Sequence, residues 1–510
     1  MTDCAFVGGR VRTASGDVAD WLLTSDGAIA ATGRGDAPAA ARTVDLDGAV
    51  LLPSFCDAHV HLPATGLYAR GMDFRGERRA AAIVDAFAQR VDAGDPVLFG
   101  GNFEDPLDEP LAASDLDRAV GERPALLARA DMHSCVASSA LVRALDLDGL
   151  EGVDRDDDGA PTGYLREQAA AAAWRWFDAN LPAGAQRDAV EAAIERAYAR
   201  GVTEVHEMFV AEWRGWGGLD ALRASAAEAA LDVLVYVATD DVERVAATGA
   251  TRMGGDYFLD GSFGSHTAWM SEPYASAPPS GSPPTGISYR DDADLLELFR
   301  SAQRARMQFG VHAIGDAAIE QALRTWERVA DEAGVDEVRA LGHRIEHFEC
   351  ASDDHIARAA RLGVRASVQP AFDLYWGGDD GLYARRIGAE RALRMNRFRS
   401  MASAGLCVGA GSDSTVTPLD PFLQMTALRA HHVESERVDA AGALTMHTLG
   451  SRALAGASRA GAIEPGRPAD LVAVDRDPLS TPTGELAATE VTGTWIAARR
   501  VWPPERAEHT

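Results

Sequence analysis

The sequence contains no lysine, so all 49 of its basic residues are arginine. That excludes a Schiff-base lysine, the lysine of a Walker phosphate loop and a carbamoylated lysine bridging two metal ions. Cysteine is scarce too. Cys4, Cys56, Cys135, Cys350 and Cys407 stand singly with no C-x-x-C pair, and so sparse a set in 510 residues reads as reduced thiols. No run approaches the ~18 apolar residues of a membrane span. The start, MTDCAFVGGRVRT, lacks the apolar stretch of a signal peptide, so a cytoplasmic protein away from membranes is expected. Positive charge is in deficit. With 77 acidic residues the net charge is −28, which opposes nucleic-acid binding because a phosphate backbone needs a basic footprint.

What is present suits a large core: 46% hydrophobic and 25% charged residues are globular proportions. The first fifty residues alternate β-like runs with turns (CAFVGG, DWLLTSDGAIAATG, TVDLDGAVLLP), and the last fifty repeat the style in ADLVAVD and VTGTWIAARRVW. Between them, strand-like runs alternate with Ala/Arg/Glu-rich helical ones, the pattern of parallel βα units. Strand candidates are LLPSFCDAHVH, PVLFGGN, ALLARAD, TEVHEMF, DVLVYVA, DYFLDG, FGVHAI, HRIEHF, RASVQPA and LCVGAGSD. The expected class is α/β: a (β/α)8 TIM barrel over 53–455, with a small β-sandwich from residues 1–52 and 456–510. A doubly wound sheet would want a G-x-G-x-x-G phosphate turn, which is missing. DRDDDGAPTGY opens like a calcium loop, but Leu165 stands where the bidentate Glu belongs, so a polar hairpin tip is expected. Residues 273–286, PYASAPPSGSPPTG, read as a mobile loop over the barrel mouth.

Asp57-Ala58-His59-Val60-His61 closes the first expected barrel strand, where alternation puts His59 and His61 on one face. Two imidazoles so placed can chelate a divalent metal. His312 closes FGVH, His347 closes HRIEH and Asp413 closes CVGAGSD, each at the end of a strand-like run. In a parallel barrel such ends share one mouth. Four His and one Asp suit Zn²⁺, with Fe²⁺ and Mn²⁺ as alternatives, and point to metal-assisted hydrolysis. Asp413 is then the proton carrier, while His347 ligates a second metal or steadies an oxyanion. Arg344 could receive a substrate carboxylate, or pair internally with Glu346 or Asp373. Trp174, Trp176, Trp213, Trp216, Trp269 and Trp376 flank the expected mouth and hint at a flat or aromatic substrate.

These motifs, in this order, resemble the amidohydrolase superfamily, specifically its YtcJ-type branch, amidohydrolase family 3, which includes N-substituted formamide deformylases. LLPSFCDAHVHL resembles the family's D-A-H-x-H opening, RADMHSCVASSAL its R-x-D-x-H segment and DRDDDGAPTGYLRE its hairpin. YFLDGSFGSHTAWMSEPY, HAIGDAAI, HRIEH, ASVQP, GSDSTVTPLDP and GAIEPGRPADLVAVDRDPL follow collinearly. The resemblance implies the barrel-plus-sandwich fold and hydrolysis of a C–N bond. It places His59, His61, His312, His347 and Asp413 at metal and catalytic positions, and His133 and Gln369 in substrate-facing segments. His266 stands where relatives usually carry Arg, which alters a pocket charge.

Many relatives carry a lysine four residues before the Asp of the D-G-S block, whereas Asp256 occupies that slot here. An Asp is several ångströms shorter than a carbamoyl-lysine, so Glu167 is the expected substitute if any bridge exists. The expectation is therefore one metal per subunit on His59, His61, His312 and Asp413, with His347 beside it. The expected activity is cleavage of an amide, formamide or cyclic amide of a small molecule. An aminohydrolase acting on a heterocyclic or aromatic amine is the alternative. Such enzymes often carry Glu three residues after the strand-five His, whereas His312 is followed by Ala-Ile-Gly-Asp316. A metal-free scaffold is the third reading. A homodimer is left open.

Overall fold

Short runs rich in apolar residues between turns make the strands. In the computed structural model, which describes residues 3–104, 106–130, 132–182, 184–279, 282–456 and 459–504, eight such strands occupy the middle of the chain. They are β1 (Phe55–Val60), β2 (Val202–Val210), β3 (Asp232–Ala238), β4 (Arg252–Met253), β5 (Gln308–Ala313), β6 (Arg344–His347), β7 (Arg365–Val368) and β8 (Val408–Ala410). The first three pair in parallel in chain order, and so do the last five. A parallel bridge from Val60 to Ser414 links β1 to the segment after β8. Helices lie between the strands, as amphipathic spacing dictates. Asp316–Ala333 buries Ala318, Ile319, Ala322, Leu323, Trp326 and Val329, a stripe at intervals of one or three residues. The result is a TIM-barrel-like α/β fold.

Between β1 and β2 lies a separate six-stranded sheet. Its order is Val153–Arg155, Pro161–Arg166, Ser134–Ala137, Leu126–Arg129, Phe99–Phe103 and Met72–Asp73. PVLFGGN and ALLARAD belong to this sheet and not to the parallel eight. A short buried strand reads the same in sequence whichever sheet receives it. The expected hairpin is present: Asp156 Oδ1 accepts from Asp158 N at 3.1 Å and Ala160 N at 2.8 Å, closing its tip.

The chain ends meet in one sheet, where Arg10–Arg12 and Val50–Pro53 join Leu471–Val474 and Val491–Ile496. A four-stranded sheet of Cys4–Val7, Trp21–Ser25, Ala28–Gly33 and Arg42–Asp45 shares its core, with Phe6 edge-on to Trp495 at 5.2 Å. The segment 273–286 is tied down where it is described. Tyr274 is buried and its hydroxyl donates to Ala268 O, while Arg391 donates to Pro273 O at 2.7 Å. Ser280 and Gly281 lie outside the described residues. Among the described residues, no helix is long and apolar enough to cross a membrane.

Candidate metal centre

Six side chains converge at the C-terminal ends of these strands. His59 lies in β1 and His61 just beyond it, His312 lies in β5, and His347 ends β6. Asp256 follows β4 by three residues and Asp413 follows β8 by three. All six are buried. Asp256 Oδ2 is 3.4 Å from His59 Nε2 and 3.1 Å from His61 Nε2. Asp413 Oδ1 is 3.5 Å and 3.2 Å from the same two nitrogens. Asp256 Oδ1 is 3.5 Å from His312 Nδ1 and 3.7 Å from His347 Nε2.

Each imidazole has its other nitrogen committed. His59 Nδ1 donates to Glu346 Oε2 at 3.0 Å, and His61 Nδ1 to Met208 O at 3.0 Å. His347 Nδ1 donates to Gln369 Oε1 at 2.8 Å, and His312 Nε2 to Gly261 O at 3.3 Å. These bonds hold a proton on one nitrogen of each ring and leave the other nitrogen facing the two carboxylates, free to serve as a ligand when a cation displaces any proton there. His59 Nε2, His312 Nδ1, Asp256 Oδ1 and Asp413 Oδ1 are buried without a hydrogen-bond partner.

The donors fit a divalent cation. Tetrahedral ligands on bonds of 2.0–2.1 Å stand about 3.3 Å apart. The four separations among His59, His61, Asp256 and Asp413 given above, 3.1–3.5 Å, bracket that edge. Electrostatics agree. Burial lowers His61, but Asp256 and Asp413 override it and lift its pKa to about 10. Burial raises the Asp256 carboxyl, yet His59, His312 and His347 hold it well below its ordinary value. The two buried carboxylates thus favour positive charge among the imidazoles that face them. His347 (φ 71°) and Asp413 (φ 51°) sit in the left-handed region, strain that recurs at functional residues.

Asp256 reaches the cluster despite its short side chain because the backbone carries it there. Gly254 and Gly255 both have positive φ, and a Cβ on Gly254 would stand 2.0 Å from Gly310 O. Only glycine lets β4 approach β5 so closely. Glu167 joins none of the close-ligand sets among the described residues: its Oε2 accepts from His133 Nδ1 at 3.1 Å and Tyr289 Oη at 2.7 Å, and its Oε1 is buried without a partner. Arg344 is no carboxylate receiver either. It is fully buried, donating to both oxygens of Glu346, to Ala58 O and to His206 Nδ1. Gln369 orients His347 as described. His133 stands beside the centre, its ring 6.1 Å from that of His312. His266 bonds Ser276 Oγ at 2.9 Å, and Trp269 lines a different cavity of about 910 Å³.

Sequence reading offered Glu346 only as a partner for Arg344 and missed its bond to His59, although Arg344 and Glu346 share one face of β6. It also passed over Asp260, whose carboxylate accepts from Trp269, Ile314 and Gly315 N and so ties down the loop after β5. Phe258 and Trp213 stack 5.3 Å apart behind His312, and Phe372 stacks on His347 with Trp376 beyond it.

Comparison with known proteins agrees with this geometry. The sequence is 27% identical to YtcJ of Bacillus subtilis (strain 168), covering 96% of each chain. It is 26% identical to the N-substituted formamide deformylase of Arthrobacter pascens, covering 97% of each. The structure superposes on an uncharacterized metal-dependent hydrolase from Pyrococcus furiosus with a TM-score of 0.73 and 26% identity, covering 94% of this chain and 100% of the other. The profile described as the amidohydrolase family matches residues 42–502, a span that takes in all six converging side chains, and the chain therefore belongs to that family.

Proposed function

We propose that this chain hydrolyses a C–N bond of a small molecule, an amide, a formamide or a cyclic amide, at a divalent metal held by the His/Asp cluster. One observation carries the reading: four imidazoles, each tied by one nitrogen, turn the other toward two buried carboxylates. His59, His61, Asp256 and Asp413 are the first holders, and Zn²⁺ is the proposed ion. A bound divalent cation supplies Lewis acidity and makes hydroxide available near neutral pH. Asp413 takes the proton of the attacking water on the carboxylate oxygen not turned to His59 and His61 and passes it to the leaving nitrogen. His59 and His61 keep their δ-protons throughout, because Glu346 and Met208 O hold them. The Phe258–Trp213 and Phe372–Trp376 pairs flank the cluster and favour an apolar or aromatic substituent on the substrate.

In this reading the eight strands close as a (β/α)8 barrel over 53–455, and residues 1–52 with 456–510 form a β-sandwich. The protein acts in the cytoplasm, which its free thiols support. The aminohydrolase alternative loses its acid, because Asp316 is spent on Ser271 N and Oγ rather than turned to the cluster.

The test is a metal-loaded screen of N-acyl, N-formyl and heterocyclic amines, reading ammonia and carboxylate release separately. Carboxylate release supports the proposal; ammonia release from ring amines alone overturns it. Asp413→Asn should lower kcat by about 10²–10⁴-fold with unchanged circular dichroism, and near-normal turnover would sink the assignment.

A further inference from the structure

This inference rests on the metal reading and deepens it: we propose that His206, set behind the cluster, is a positioning residue that keeps His59 aimed by holding two buried ion pairs apart. One pair is Arg344 with Glu346, both in β6. The other is Glu204 in β2 with Arg452 in the helix Ser451–Leu454. His206 lies between them, and all five side chains are buried. Arg344 Nη1 is 2.9 Å from His206 Nδ1, while its Nε and Nη2 donate to the two oxygens of Glu346 at 2.9 and 2.8 Å. Glu346 Oε2 in turn accepts from His59 Nδ1, and Arg344 Nη2 also donates to Ala58 O, the carbonyl before His59. On the far side of the ring, His206 Nε2 is 3.4 Å from Glu204 Oε1, and Glu204 Oε2 accepts from Arg452 Nε at 3.1 Å.

The hydrogen bonds assign the tautomer. A guanidinium has donors only, so His206 Nδ1 accepts and the ring hydrogen sits on Nε2, facing Glu204. Cys56, Glu204 and His206 bring ligand atoms within 4.8 Å of one another, but this tautomer leaves Nε2 no lone pair for an ion. The ring is neutral, since burial, with Arg344 beside it, lowers its pKa to about 4. Two carboxylates already balance two guanidiniums here. A neutral ring that accepts on one side and donates on the other separates the pairs without adding charge. Without it, Arg344 Nη1 loses its acceptor and the Glu204 carboxylate draws the guanidinium off its two-oxygen grip on Glu346, because attraction between buried charges is weakly screened. Glu346 then holds His59 Nδ1 less firmly, and such an orienting bond sets both the direction and the basicity of the other ring nitrogen.

The test strips the protein with a chelator and reloads it with Co²⁺, whose d–d absorption reports ligand geometry and whose affinity is read by chelator competition. Beside the wild type stand His206→Leu, which removes both bonds, and His206→Gln, whose amide accepts from Arg344 with its oxygen and donates to Glu204 with its nitrogen. His206→Leu should bind Co²⁺ about 10–100-fold more weakly, with shifted d–d bands. His206→Gln should regain the wild-type affinity and bands. A ring that only fills the core would lower the melting temperature and move neither readout. Wild-type Co²⁺ affinity in folded His206→Leu, or an equal loss in His206→Gln, overturns the positioning role and leaves the metal reading standing. If His206→Leu fails to fold, the ¹⁵N chemical shifts of His206 in the wild type decide. A bare Nδ1 with a protonated Nε2 at neutral pH is expected, and the opposite tautomer overturns the role. A wild type that takes up no Co²⁺ overturns both.

Discussion

The tautomer-fixing bonds make each histidine's behaviour depend on a residue that touches no substrate. Gln369 shows this most cleanly, since its Oε1 is the acceptor for His347 Nδ1 and the pair is buried. Losing such an orienting bond typically costs about 10–100-fold in metal affinity or activity. Gln369→Ala should show that loss with an unchanged melting temperature. Wild-type metal content and turnover would show that His347 needs no orientation. Arg344 bears on stability as well. Its removal leaves the buried Glu346 carboxylate with His59 Nδ1 but without its cation, at a cost of about 3–5 kcal/mol. Arg344→Ala should show this in urea unfolding, and a loss below 1 kcal/mol would mean that water or another donor takes over. His59, His61, His312, His347 and Asp413 were legible in sequence because each closes an apolar run. Arg344 was ambiguous, because the residue type serves substrates and internal pairs equally well.

At the scale of elements, the decisive feature is the pair of glycines ahead of Asp256. Gly254→Ala would set a Cβ against Gly310 O and force β4 away from β5. It should lower both metal content and melting temperature. Gly159→Ala at the hairpin tip has equally positive φ but meets nothing within 4 Å, so it should cost only about 1–2 kcal/mol. Equal metal content in the two variants would show that β4 does not position Asp256. This explains why Asp256 was undervalued in sequence. Side-chain length was readable, but the close approach of two backbones was not. The sheet between β1 and β2 was hidden for a related reason, since pairing partners are a tertiary choice. The segment 273–286 looked loose by composition, yet Tyr274 and Arg391 anchor it through contacts that composition cannot show.

Across the whole molecule, buried neutral histidines set the acid limit of stability. Burial lowers the pKa of His343 and His447 to about 3, with Arg365 adding to the effect at His343. Burial, with Arg344 beside it, lowers His206 to about 4. The unfolded chain binds these protons near pH 6.5 and the folded chain does not. These three therefore contribute nothing above pH 6.5 and destabilise as pH drops toward 3, by at most about 1.4 kcal/mol per unit and group. Measured by urea midpoints from pH 7.5 to 5, His447→Leu should gain stability over the wild type as pH falls, changing the slope by one proton's worth. An identical slope in that variant would show His447 protonated in the folded state.

The central claim is that the six converging side chains hold metal, and anomalous X-ray diffraction at the zinc edge from zinc-loaded crystals tests it most directly. The account predicts a strong peak among His59, His61, Asp256 and Asp413. Peaks only elsewhere, with the six side chains bonded to one another, would contradict it.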